Sequence, residues 1–140
     1  MMSGLRLKIV TPERVAYEEE VSEVTLPTAT GQISILAGHE PLVSLLKPGE
    51  LVVHKNDEAV YMAVSTGLIE MRKDGELVIL ADTAEHAEEL ELERIEEAKQ
   101  RAEEILKERH DRQDVDFARA QAALERELAR VKVARRRRGK

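Results

Sequence analysis

Residues 77–100, LVILADTAEHAEELELERIEEAKQ, contain the change of composition that decides the fold. The first residues of this stretch form an apolar run of the kind that makes a buried strand. Beyond Ala84 the chain has no proline and no glycine before Gly139, and strong helix formers (Ala, Leu, Glu, Lys and Arg) dominate it. The stretch therefore predicts a β domain over residues 1–86 and a helical part over residues 87–140.

The residues before this stretch have the pattern of short strands separated by turns. Leu5, Leu7 and Ile9 alternate with basic residues, which is the period of a half-buried strand. Asp74-Gly75 is the clearest hairpin turn, because glycine tolerates the positive φ that tight hairpins require. Further β-type runs cover residues 21–26, 32–36, 51–54, 60–64, 68–71 and 77–81. Strands at this spacing, without intervening helices, predict an antiparallel β-sandwich or barrel.

Two amphipathic helices are predicted after residue 86. Apolar residues recur at steps of three or four, first at Ile95, Ala98, Ala102 and Ile105, and then at Phe117, Ala120, Leu124, Leu128 and Val131. Asp114 is a good N-cap for the second helix, after a polar link over residues 109–113. We expect an antiparallel helical hairpin. Because both stripes are rich in alanine, the hairpin is expected to pack weakly and to be able to undock.

The net charge of −6 is unevenly divided along the chain. Residues 1–86 carry −7, residues 87–116 carry −6 and residues 117–140 carry +7. On the second helix Arg119, Arg126 and Arg130 are spaced by seven and four, which places them on one face roughly opposite the apolar stripe. Such a face can offer guanidinium groups to carboxylates or phosphates. A solvated face with local pairs to Glu125 or Glu127 is an equally open alternative.

Several functional classes lack support in the sequence. There is no cysteine, which removes disulfides and thiolate metal sites, and the four histidines have no metal-ligand spacing. The chain contains no Walker A loop, GxSxG elbow or GxGxxG motif, so catalysis by the chain alone is not expected. No run approaches the roughly 18 apolar residues of a membrane-spanning helix, so any membrane association is expected to be peripheral.

Three segments together resemble the epsilon subunit of F-type ATP synthase. Residues 31–42, GQISILAGHEPL, followed by Lys47-Pro48-Gly49, are similar to its GxxGILPGHxPL…PG signature. Residues 77–88 resemble its sheet-to-helix junction, and residues 114–118, DVDFA, resemble the start of its second helix. The resemblance covers nearly the whole chain, in order.

This resemblance implies a β-sandwich that docks on the gamma subunit and the c-ring, followed by a mobile two-helix regulatory hairpin. The chain would be a non-catalytic rotor subunit that couples proton-driven rotation to ATP synthesis. When extended into the alpha/beta catalytic head, the hairpin would inhibit ATP hydrolysis. The resemblance further implies no required cofactor, no nucleic-acid partner, and a peripheral place on the cytoplasmic face of the bacterial cell membrane, through the complex alone.

The resemblance also assigns partner-binding residues. Gly31, Gln32 and His39 match the loop that faces the c-ring, although Gln32 stands where glutamate is common. Arg119, Arg126 and Arg130 would meet an acidic segment of the β subunit. Ser65-Thr66-Gly67-Leu68 replaces an SGGF-like turn, a change that threonine tolerates only if its φ is negative.

A regulatory ATP site is a further implication. Some bacterial members bind ATP through an [IL]-D-x-x-R-A motif, and Leu90, Glu91, Arg94 and Ile95 occupy its four specified positions here. The leucine and the arginine match, whereas aspartate has become glutamate and alanine has become isoleucine. Arg119 and Arg126 would be the phosphate partners.

The competing hypothesis is a small nucleic-acid-binding module that uses the basic C-terminal helix. The acidic β domain, an aromatic content of 2% and the lack of a recognition motif count against it.

Overall fold

The computed structural model describes residues 4–108 and 115–138, the last two by their backbone alone. The predicted N-cap Asp114 and the predicted link over residues 109–113 lie outside the described residues. In chain order the strands are β1 Leu5–Val10, β2 Val15–Val21, β3 Glu23–Thr28, β4 Gly31–Leu36, β5 Leu42–Leu46, β6 Gly49–Lys55, β7 Glu58–Val64, β8 Gly67–Met71, β9 Glu76–Ala81 and β10 Ala84–His86. A 3₁₀ turn at Ala87–Glu89 leads to the helices α1 Leu92–Glu108 and α2 Val115–Arg138.

The strands form two five-stranded sheets that pack face to face, which confirms the predicted β-sandwich followed by a helical hairpin. The first sheet has the order β2-β1-β9-β8-β5 and the second has the order β10-β7-β6-β3-β4. The pairs are antiparallel except for β1 with β9, which run parallel. Alternation of apolar residues has the same period in both arrangements, so it cannot distinguish them.

The core between the sheets follows the predicted alternation. Leu5, Leu7 and Ile9 are buried in it, while the intervening side chains of β1 point outward. The core contains no tryptophan or phenylalanine and is filled by Leu, Ile, Val, Met and Ala with Tyr17. Aliphatic side chains therefore supply nearly all of the apolar burial that stabilises the sandwich.

Both predicted turns have the expected backbone. Gly75 has a φ of 90° between the antiparallel strands β8 and β9, and the Asp74 carboxylate accepts a hydrogen bond from the Glu76 amide (3.0 Å). Among the described residues Asn56 is the one non-glycine position with positive φ, so Thr66 meets its requirement.

Three strands lie outside the predicted β-type runs. In β2 the run Glu18-Glu19-Glu20 lies on an edge strand, where three consecutive side chains are exposed and the apolar alternation is lost. The strand β5 is five residues long and also lies at an edge, and β10 has three residues.

The helices form an antiparallel pair, since Arg135 near the end of α2 meets Glu96 near the start of α1 (3.4 Å). In α1 the predicted stripe is buried at Ile95 and Ala102, and Ile105 is exposed. The helix α2 lies over β7 and β6 on the outer face of the second sheet.

The predicted orientation of α2 is partly wrong. Ala120 and Val131 are buried as expected, but Leu128 is 47% exposed. The small side chains of Ala129, Val133 and Ala134 are buried instead. They lie on the face of α2 that contacts the second sheet and α1. Because small side chains let the helix approach the sheet closely, the contacting face is rotated toward the predicted arginine face.

Candidate functional site

The interface between α2 and the second sheet contains a buried carboxylate, Glu50 on β6. Its two oxygens accept hydrogen bonds from Nε (2.8 Å) and Nη2 (2.9 Å) of Arg136, and Lys132 Nζ lies 3.8 Å away. The Glu50 side chain is 2% exposed, whereas that of Arg136 is 46% exposed and lies over the Tyr61 ring, 4.8 Å from its centroid. Hydrogen bonding and the charge of Glu50 raise the pKa of Arg136 above its ordinary value.

A second ion pair lies six residues earlier on α2. Arg130 donates from Nε to Glu85 Oε1 on β10 (2.6 Å) and from Nη1 to Glu127 Oε2 (2.7 Å). Burial tends to lower the pKa of Arg130, but the two carboxylates outweigh it and the pKa is raised. Of the two alternatives for the arginine face, the local pairing with Glu127 is confirmed for Arg130 and Arg126. Arg130 is half-buried and not solvated, because α2 packs by that side.

The junction between the sandwich and the helices is fixed by Glu89. Its carboxylate accepts hydrogen bonds from the His86 amide (2.9 Å) and from Arg14 Nη2 (3.0 Å). Burial alone would raise the pKa of Glu89, but these two donors lower it below its ordinary value. The chain is therefore held to the sandwich as far as Glu89, and the first helix begins after it.

The predicted nucleotide residues line a cavity of about 250 Å³ between the start of α1 and the middle of α2. It brings together Leu90, Glu91, Arg94 and Ile95, and the Arg94 guanidinium pairs with Glu91 at 3.3 Å. The remaining lining residues are Glu85, Glu89, Ala98, Glu127 and Arg130. Four carboxylates and two guanidinium groups thus surround the cavity, so a phosphate would meet an excess of negative charge.

The predicted phosphate partners do not lie on this cavity. Arg119 is exposed, and Arg126 pairs with Glu127 at 3.5 Å. The arginine of α2 that reaches the cavity is Arg130. The difference follows from the rotation of α2, which directs Arg130 toward β10 and α1.

The predicted c-ring residues are exposed at two separate places. Gly31, with a φ of 113°, and Gln32 begin β4, whereas His39 follows the other end of that strand. His39 Nδ1 lies 2.7 Å from the carbonyl oxygen of Glu40. At about 3.3 Å per residue, the six-residue strand separates the two places by more than about 15 Å. A single partner contact would have to span that length.

The outer face of the first sheet carries a partly exposed apolar row that was not predicted. Register pairing aligns one apolar residue from each strand: Val15, Val10, Leu80, Leu68 and Leu45. Leu45 is 62% exposed, and Val43, two residues before it on β5, is also exposed. The apolar run of residues 77–81 could have indicated this row. Side chains alternate between the two faces of a strand, so a strand of consecutive apolar residues has two apolar faces.

Residues 4–108 and 115–138 contain no group of three or more acidic or histidine side chains placed to hold a metal ion. Neither of the two described helices has the length and apolarity needed to cross a bilayer.

The chain is similar to known proteins along almost its whole length. Residues 4–87 match the family "ATP synthase, Delta/Epsilon chain, beta-sandwich domain", and residues 88–135 match the "long alpha-helix domain" of the same chains. The ATP synthase epsilon chain of Desulforamulus reducens is 43% identical over 134 residues, 96% of this chain and 99% of that one. The epsilon chain of Herpetosiphon aurantiacus is 42% identical over 136 residues, 97% of this chain and 98% of that one.

Two solved structures have the same fold. A chain of the Euglena gracilis mitochondrial ATP synthase has a TM-score of 0.79 at 23% identity, over 96% of this chain and 82% of that chain. A chain from the central stalk and c-ring of the Tetrahymena thermophila enzyme has a TM-score of 0.57 at 14% identity, over 94% and 93%.

Proposed function

The chain belongs to the family of ATP synthase epsilon chains, and from that premise we propose that it is a non-catalytic rotor subunit in the central stalk of a bacterial F-type ATP synthase. In this role it couples proton-driven rotation to ATP synthesis. It is held at the cytoplasmic face of the cell membrane only through the complex. The observation that supports the proposal is that a helix covers the outer face of only one of the two sheets. The helix α2 lies over the second sheet, while the first sheet keeps an exposed apolar row.

The apolar row is the proposed docking surface for the gamma subunit. Exposed apolar side chains in contiguous positions are costly in water and are typical of protein interfaces. The turn at Gly31 and Gln32 and the exposed His39 beyond the other end of β4 are the proposed contacts with the c-ring. These surfaces do not include α2, so the sandwich can bind the stalk whether or not the hairpin is docked.

The hairpin is the proposed inhibitory arm. In its contact with the sandwich, α2 contributes the small apolar side chains of Val131, Val133 and Ala134 and two arginine–glutamate pairs. Small side chains gain less from burial than large ones would. Once extended toward the alpha/beta catalytic head, α2 would offer Arg119, Arg126 and Arg130 to acidic side chains and so hinder hydrolysis. Arg119 and Arg126 are the cleaner test residues, because Arg130 also holds the docked hairpin.

Nucleotide binding to the hairpin stays a prediction. Leu90, Glu91 and Arg94 share one cavity, which supports it, but the acidic lining opposes the binding of phosphate. Titration calorimetry of the full chain with ATP, repeated with Arg94→Ala, would decide it. The absence of heat at millimolar ATP would remove the site.

Reconstitution with the cognate gamma subunit and catalytic head tests the main proposal. The full chain, a chain ending after Ala87 and Arg119→Ala/Arg126→Ala are compared for binding and for ATP hydrolysis. We expect all three to bind gamma, and only the full chain to inhibit fully. Equal inhibition by the shortened chain would exclude the hairpin mechanism. Salt-dependent binding to generic DNA, without binding to gamma, would favour the nucleic-acid alternative.

A further inference from the structure

Glu50 and Glu85 lie in one row across three neighbouring strands. Ala63 on β7 pairs with Glu50 on β6 and with Glu85 on β10, so the small side chain separates the two carboxylates. Strands are about 4.8 Å apart, which places the two glutamate positions roughly 10 Å from each other. Val133, the residue midway between the arginines on α2, is completely buried in the same apolar cluster as Ala63.

The arginines of α2 match this spacing. Arg130 and Arg136 are six residues apart, which corresponds to about 9 Å along a helix, and six residues turn through about 600°, so the two side chains leave on different flanks. Each meets its glutamate, at 2.6 Å for Arg130 and 2.8 Å for Arg136. The R-x-x-V-x-x-R pattern of α2 is thus complementary to the E-A-E row of the sheet.

We propose that Glu50 and Glu85 are internal competitors of an acidic polypeptide for the arginines of α2. In the docked hairpin the two carboxylates occupy the guanidinium groups, and Arg136 is bound by a two-point fork of the kind that carboxylates of a partner would also form. Docking on the sandwich and binding of an acidic segment are then mutually exclusive. The identity of the acidic partner rests on the proposed function, but the competition within the isolated chain does not.

Three full-length variants test the competition. Glu50→Gln weakens the Glu50–Arg136 ion pair and leaves the Arg136 guanidinium available to a partner. Arg136→Gln weakens the same ion pair but removes the guanidinium. Glu40→Gln, at an exposed loop position, is the control for the loss of one negative charge. Cysteines are introduced at the exposed positions Lys73 and Gln121 and labelled with dyes, and the distance between the dyes reports docking. The chain has no cysteine of its own, so only these two sites are labelled.

Binding is measured with a ten-residue polyglutamate peptide. Glu50→Gln should raise the undocked-to-docked ratio about tenfold and tighten binding of the peptide, because a partly desolvated pair has lost one member. Arg136→Gln should undock similarly without that gain, and Glu40→Gln should change neither property.

The proposal is overturned if Glu50→Gln leaves docking unchanged, or if it undocks the hairpin without tightening peptide binding. These measurements use no other subunit. A chain that shows the competition but does not bind gamma would therefore contradict the proposed function and leave the competition intact.

Discussion

Val133 on α2 is completely buried and packs in one cluster with Ala63 on β7, a residue that is itself 2% exposed. The small side chain of Ala63 leaves room for the helix between the two flanking glutamates. The docked position of α2 therefore depends on this alanine as well as on the ion pairs.

Enlarging Ala63 is expected to displace the helix. Ala63→Leu should weaken docking by about 1–3 kcal/mol, the usual cost of overpacking, because the added atoms meet Val133. Amide exchange should become faster in α2, while the core strands β1 and β9 keep their protection. Ala59→Leu, at an exposed position of the same strand, is the control. Unchanged exchange in α2 of Ala63→Leu would contradict this account of the interface.

Two adjacent arginines should differ in their contribution to docking. Arg136→Gln leaves the buried carboxylate of Glu50 with Lys132 at 3.8 Å as its remaining cation, and should cost about 1.4 kcal/mol, a tenfold shift. Arg135→Gln removes a pair with Glu96 whose members are 65% and 41% exposed, and should cost less than about 0.5 kcal/mol. Amide exchange in α2 measures both. Equal effects would indicate that net charge, and not the position of the pair, holds the helix.

The Glu89 junction should give a pH dependence in the acid range. Since the folded-state pKa of Glu89 is lowered, its stabilisation is fully present above the ordinary value of 4.5 and is lost as the pH falls through the lower folded pKa. Its side chain is 40% exposed, so solvent screening limits the effect to less than about 1 kcal/mol. The unfolding free energies of the wild type and Glu89→Gln should differ at pH 7 and converge below pH 4.5. Unfolding free energies that stay apart below pH 4.5 would contradict this role of Glu89.

Replacing Gly67 is expected to lower the free energy of unfolding strongly. A Cβ at this position would lie 1.9 Å from the carbonyl oxygen of Leu80, so Gly67→Ala must separate β8 from β9. Urea denaturation should register a loss of roughly 3 kcal/mol, at the upper end of overpacking costs. Thr66→Ala is the matched control, because it removes only an exposed hydrogen bond to Asp82 (3.3 Å) and should cost at most about 1 kcal/mol. A stable Gly67→Ala chain would mean that the strands can separate freely there.

Local signals account for the parts of the fold that were predicted. Residues 77–100 predict the division into sheet and helix because propensities sum over a long segment, and β1 was predicted from strict alternation. The parallel pairing of β1 and β9 depends on contacts between distant segments, which alternation does not encode.

The site was predicted less completely for the same reason. Leu90, Glu91 and Arg94 are neighbours in sequence and do share a cavity. Glu50 and Glu85 become neighbours of Ala63 only through strand register. The face that α2 buries also depends on the sheet below it, since close approach favours alanine and valine over the larger Leu128.

The apolar row of the first sheet is expected to be needed for binding to gamma. Leu45→Glu places a charge on the proposed contact, at the end of the row on the edge strand β5, and a buried leucine side chain contributes about 1.5–3 kcal/mol. Affinity for gamma should therefore fall by at least about tenfold. Leu45 is 62% exposed, so the melting temperature of the free chain should hardly change. Leu36→Glu, at an exposed leucine on β4 of the second sheet, should retain the affinity. If instead Leu36→Glu abolished binding to gamma and Leu45→Glu did not, the gamma subunit would have to dock on the edge of the second sheet, at the end of β4 near His39, and the apolar row would have another role.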